Sequence, residues 1–389
     1  MLLTNALVMP MDAPDIPCGY VRVAGGKIHS LGDMSVAPVP EPGEEVIGLA
    51  GKRLLPGFVE PHSHVGLEED SLTHEGNDIN EMTDPCTPHL RALDGINPMD
   101  RCFGEFLEAG ITTAIVGPGS ANPIAGQICA MKTYGKWIDA MAIRPSLAMK
   151  MAFGENPKNV YTEKNQQPNT RMATAAIIRE HLTKAKRYME GLDKAANDEE
   201  ADRPDFDAKL DALVPLLRGE IHAHIHAHRA YDILTGIRIA KEFGIRYTLI
   251  HCTEGHLIAD ILARENAYAV CGPIISARVK PELSALTVEN CRILREAGVN
   301  VAICTDHAVI PGQYLAMSAR VAVSGGMAYR DALEAITIAA AKAAEVEDRV
   351  GSITPGKDAD LLVFAGDPLD GIEKPEMVFV DGERVIGSR

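Results

Sequence analysis

His62 and His64 stand one residue apart in Gly57-Phe58-Val59-Glu60-Pro61-His62-Ser63-His64, behind the apolar pair Leu54-Leu55 and the punctuation Pro56-Gly57. On a strand, side chains at i and i+2 share a face, so the two imidazoles project together. Alone, such a pair is more often hydrogen-bonded in a polar strand than half of a metal site. Further donors in the right places change that balance. The run Ile221-His222-Ala223-His224-Ile225-His226-Ala227-His228-Arg229 sets four histidines at period 2, with His226 where the strand should stop. His222 and His224 lie further back and also read as hydrogen-bonded fillers of a polar interior. Tyr247-Thr248-Leu249-Ile250-His251 ends another apolar run in a histidine, and Val301-Ala302-Ile303-Cys304-Thr305-Asp306-His307 ends one in an aspartate. A single strand-end Asp is commonly a helix cap. After three other strand-end donors, Asp306 reads as a ligand. Imidazole and carboxylate suit Zn²⁺; Mn²⁺, Fe²⁺ and Co²⁺ stay open, because ligand type alone does not choose between them.

These residues meet only if the strands that carry them end around one mouth. Apolar, β-branched runs predict strands at 55–61, 111–117, 127–132, 146–153, 221–226, 246–251, 267–273 and 299–304. Amphipathic periodicity predicts helices near 98–109, 229–243, 255–265, 283–297, 313–324 and 328–345. Strands buried on both faces with helices between them indicate a parallel sheet, and their number fits a closed (β/α)8 TIM barrel; an open doubly wound sheet is the alternative. In such barrels catalytic groups come from the C-terminal ends of several strands, which would gather His62, His64, His226, His251 and Asp306. The segment 156–219 breaks the rhythm with a long amphipathic stretch from Arg171 to Asp193, a polar linker and a second helix, and reads as an insertion on the loop face. Short strands at both ends of the chain each make too thin a sheet for a core. They predict one small β-sandwich assembled from residues 1–54 and 348–389 around a barrel of 55–347.

Composition excludes several partners. With 54 acidic against 38 basic residues the formal net charge is −16, which opposes nucleic acid and anionic membrane surfaces. The opening residues lack a basic n-region and no apolar run of about 18 residues occurs, so a cytoplasmic protein acting on a small molecule is expected. The eight cysteines are scattered without Cys-x-x-Cys spacing and are expected to be reduced, buried side chains. A homo-oligomer is allowed but not specified.

The chain resembles the metal-dependent amidohydrolase superfamily, in its imidazolonepropionase-like and Xaa-Pro-dipeptidase-like branch. The resemblance rests on residues 56–64, Gly110-Ile111-Thr112-Thr113, His226-Ala227-His228, His251, Thr305-Asp306-His307 and the stretch from Gly351 to Leu361. It implies a barrel with metals at its mouth and a sandwich from both termini. It also implies hydrolysis of a C–N amide-type bond in a small cyclic amide, N-acyl compound or dipeptide, through a metal-activated hydroxide with Asp306 as general base and acid. Many members bridge two metals with a carboxylated lysine, and Lys150 looks like that residue. Glu155 is the rival bridge, and a single metal on His62, His64, His226 and Asp306 is a third arrangement. His228, Arg229 and His256 are candidate substrate contacts, and the acidic loop after His64 is a candidate cover. Gly117-Pro118-Gly119-Ser120 lacks the spacing of a phosphate-binding loop. Two rival functions remain: a mononuclear deaminase of a heterocycle, disfavoured by the absence of a glutamate near His226-Ala227-His228, and a non-catalytic binding module.

Overall fold

The computed structural model describes residues 1–70 and 73–387, so Ser388 and Arg389, at the end of the expected sandwich segment, lie outside the described residues. Eight strands form one sheet in the order of the barrel: β6 (Phe58–Ser63), β7 (Ile111–Val116), β8 (Ile124–Lys132), β9 (Ala142–Ala152), β10 (His222–Ala227), β11 (Tyr247–His251), β12 (Tyr268–Cys271) and β13 (Asn300–Ile303) follow the chain, each beside the next. Alternation along β10 shows how the sequence places them. Ala223, Ile225 and Ala227 face outward into the helix layer, leaving His222, His224 and His226 turned inward. Inside, Val59, Ile115, Ile128, Ile250, Val270 and Ala302 pack together. The helix Ile338–Ala343 adds Ala340, Ala341 and Ala343 to that interior.

The expected all-parallel order fails at one strand. β8 runs antiparallel to both β7 and β9, whereas the remaining neighbours are parallel. Only residues 117–123 join β7 to β8, too few for a crossover helix, so the chain must turn back as a hairpin. The sheet is nearly closed between β13 and β6. There the Glu60 carboxylate accepts from Thr305 N–H (3.0 Å) and Thr305 Oγ1 (2.6 Å) in place of a strand ladder.

Helices lie outside most parallel crossovers. The expected insertion comprises Glu155–Glu163, Arg171–Asn197 and Ala208–Leu217, and it forms the crossover from β9 to β10. Thr170 caps the long helix, its Oγ1 accepting from Ala173 N–H, while Ile177, Ile178, Leu182 and Ala185 bury one face. The single helix expected at 328–345 is broken into Tyr329–Ala335 and Ile338–Ala343.

The two ends of the chain join in one eight-stranded sheet rather than in two hydrogen-bonded layers. Its strands are β1 (Leu2–Val8), β2 (Ile16–Ala24), β3 (Lys27–Asp33), β4 (Val46–Gly48), β5 (Arg53–Pro56), β14 (Leu361–Phe364), β15 (Met377–Val380) and β16 (Glu383–Ile386). β5 pairs with β14 and β1, so Leu54-Leu55 belongs to this sheet and the barrel begins only at Phe58. Gly57 makes the switch: a Cβ there would lie 2.0 Å from Thr112 Oγ1, which leaves room for glycine alone. Seven cysteines are buried; Cys18 is exposed, against expectation.

Candidate active site

The C-terminal ends of β6, β9, β10, β11 and β13 bring His62, His64, Lys150, His226, His251 and Asp306 around one cavity of about 310 Å³. His228, just past β10, lines it as well. Ligand atoms of His226, His228 and His251 lie within 4.8 Å of one another, as do those of His62, His251 and Asp306. His251 is thus common to two triads.

Backbone carbonyls fix two of the rings. Gly117 O sits 2.7 Å from His64 Nδ1 and Gly272 O sits 2.7 Å from His251 Nδ1. A carbonyl only accepts, so each Nδ1 carries the hydrogen and each Nε2 lone pair is left free. Burial drives His62, His226 and His251 well below the ordinary imidazole value, and drives His228 down to about 3. These rings are neutral at pH 7, the form that ligates metals. Asp306 Oδ1 lies 3.3 Å from both His62 Nε2 and His64 Nε2. For the neutral His64 ring this sets a lone pair against a carboxylate oxygen, an arrangement that a proton or a metal cation between them relieves. His226 Nδ1 is buried without a partner. An acceptor-rich, partly orphaned donor set of this kind fits a divalent metal.

Backbone strain marks the same rim. His251, Cys252 and Asp306 have φ of 76°, 46° and 57°, a left-handed conformation that non-glycine residues hold only when their surroundings impose it. Glu60 is one source of that constraint. Fully buried between Thr305 and His62, it also accepts from His62 N–H at 3.3 Å, and burial pushes its carboxyl up to about 8. Nothing in its sequence setting gave it a role; its place inside a motif ending in His62 was the available signal.

Lys150 is wholly buried, its Nζ 3.1 Å from His62 Nε2, and burial pushes the amine down to about 8. Glu155 faces elsewhere: Glu282 N–H donates to Glu155 Oε2 (3.2 Å), and Glu155 N–H donates to Glu282 Oε2 (3.1 Å). Arg229 and His256 do not line the cavity. Arg229 donates to Pro281 O (2.8 Å), and His256 N–H donates to Asn290 Oδ1 (2.9 Å). Of the loop after His64, Glu68, Ile79 and Asn80 do line it. Sequence reasoning missed Lys280, Glu282 and Asn156. Lys280 caps and Glu282 lies within a single 3₁₀ turn, Pro281–Leu283, after β12, too short for a periodicity to point to a site.

Among the described residues no helix is long and apolar enough to cross a membrane. An amidohydrolase from Hapsidospora irregularis is 28% identical over 94% of this chain, which spans 39% of that relative's length. An imidazolonepropionase from Fusobacterium nucleatum is 23% identical over 95% of this chain and 91% of its own. The crystal structure of an amidohydrolase from Thermotoga maritima superposes with a TM-score of 0.95 and 41% identity over the full length of both chains. With the Amidohydrolase family profile matching residues 53–386, the chain belongs to the amidohydrolase family.

Proposed function

We propose that the protein is a metal-dependent hydrolase of a C–N amide-type bond in a small cyclic amide, N-acyl compound or dipeptide. One observation carries the reading: the Asp306 carboxylate faces the Nε2 atoms of His62 and His64 at 3.3 Å within a small-molecule-sized cavity. His62, His64, His226, His251 and Asp306 would hold the metal, most simply Zn²⁺. Lys150, carboxylated on Nζ, would supply a further ligand to a second ion. A divalent metal held there supplies acidification of water and polarisation of a carbonyl. Asp306 takes the proton of the attacking water and returns it to the leaving nitrogen, so its free carboxylate oxygen is the group that matters.

The test is elemental analysis with kinetics on protein purified without chelator in bicarbonate. The parent should hold about two metals per chain, Lys150→Ala should hold fewer, and Asp306→Asn should lose roughly 10²- to 10⁴-fold in kcat. Full activity in a metal-retaining Asp306→Asn protein removes the assigned role. Absence of metal from the parent would revive a binding module.

Deamination of a heterocycle gains one supporting contact. Glu282 Oε1 lies 3.5 Å from His228 Nε2, which supplies a carboxylate beside the His226-Ala227-His228 run that the sequence did not show. Release of ammonia from amino-heterocycles, with amides left untouched, would select that reading.

A further inference from the structure

Outside the metal-site candidates, two charged side chains among the described residues line the cavity: Glu68 and Lys280. Lys280 is held from two sides. Its Nζ lies 2.6 Å from Glu282 Oε1 and donates to Asn156 Oδ1 at 3.1 Å. Glu282 is completely buried, and Asn156 is itself pinned by donating to Ser120 Oγ at 2.8 Å. An ammonium carries three donors and the hydrogen bond to Asn156 uses one, so donors remain, and the side chain keeps 29% of its surface exposed. This is a pre-placed cation rather than a solvated surface lysine. Glu282 offsets part of its charge, so it matches a monoanion better than a dianion. Ile79, Val279, Leu283 and Val309 supply apolar walls to the same cavity, and Glu68 on the loop after β6 disfavours a second anionic group there.

We propose that Lys280 determines specificity by receiving, through a free N–H, the carboxylate of the substrate. The substrate class is then a compact amide with an apolar body and one carboxylate. The inference rests on the amide-hydrolase reading and deepens it.

Matched pairs test it: N-acetyl-L-alanine and N-acetyl-L-proline against their neutral carboxamides, titrated calorimetrically into metal-replete enzyme. A charge-assisted hydrogen bond should favour the carboxylate members by roughly 10- to 100-fold. Lys280→Met should bring each pair within about threefold while leaving metal content unchanged, and Lys280→Arg should restore the preference. Equal binding in the parent, binding of neither member, or a preference that survives Lys280→Met overturns the proposal. Amine release from the same compounds separates the two claims. Carboxylate-selective binding without hydrolysis would leave Lys280 standing and remove the hydrolase reading, whereas hydrolysis with no carboxylate preference would do the reverse.

Discussion

Lys132 and Lys150 end neighbouring strands and are both buried, 4% and 0% exposed, yet their surroundings are opposite. Because β8 runs against β9, the two ends face opposite rims of the barrel. Lys132 meets Asp360 at 2.7 Å, Asp358 at 3.0 Å and Asp381 at 3.3 Å, tying the barrel to the terminal sheet. Burial alone would lower its pKa, but the carboxylates of Asp360, Asp381 and Asp358 outweigh that and hold it above the ordinary lysine value. Lys150 contacts a neutral imidazole and feels only the Asp306 carboxylate beyond it, and burial wins. A fold that only needs a charge inside surrounds it with countercharge. At Lys150 burial outweighs the nearby Asp306 carboxylate and favours the neutral amine, the form that can add carbon dioxide.

The largest effect expected from this contrast is on stability. Lys132→Met leaves the buried Asp360 beside an apolar side chain, while Asp358 keeps Arg349 and Lys27 and Asp381 is half-exposed, and should cost about 3–5 kcal/mol in urea unfolding. Lys150→Met, made in metal-free protein, should cost nothing or stabilise. Equal losses in both variants would break the comparison.

Next comes the dependence on pH, measured on metal-free protein in carbonate-free buffer. Lys150 is lowered from 10.5 to about 8, so the unfolded chain binds the extra proton between those values. Stability should therefore rise from pH 8 to 10.5, by about 3 kcal/mol, and the gain should be absent below 8 and absent in Lys150→Met. Lys132, shifted upward, works the other way: its contribution is complete below 10.5 and is lost as pH climbs through its folded value. Flat stability across 8–10.5 in the parent would show that Lys150 is not an unpaired amine.

A smaller effect is expected at the barrel seam. Thr305→Ala removes one donor to Glu60 while the backbone N–H remains, and should cost about 1–3 kcal/mol in thermal unfolding. The smallest effects belong to Arg229→Ala and His256→Ala, which should change kcat/KM by less than about threefold, since neither side chain lines the cavity. A tenfold loss in either would mean that the loop carrying it closes over the substrate.

Much of this was legible before any coordinates. Apolar runs ending in His64, His226, His251 and Asp306 mark strands that stop at a polar rim, and period 2 tells which side chains share a face. Strand direction was not legible, because alternation is the same read in either sense. The short connector 117–123 was the signal for β8. Arg229 and His256 lie outside the cavity lining because adjacency in sequence to a ligand says nothing about which way a loop side chain turns. Lys280 and Glu282 were unreadable for the converse reason, since a single 3₁₀ turn is too short to show a period.

By itself the sequence determined the donors and their order along the chain, because residue type fixes ligand chemistry and burial pattern fixes strand faces. Only the tertiary structure decided which lysine is paired and which is bare, and which loops reach the cavity. Those outcomes depend on distances between segments far apart in the chain, and local pattern does not encode them.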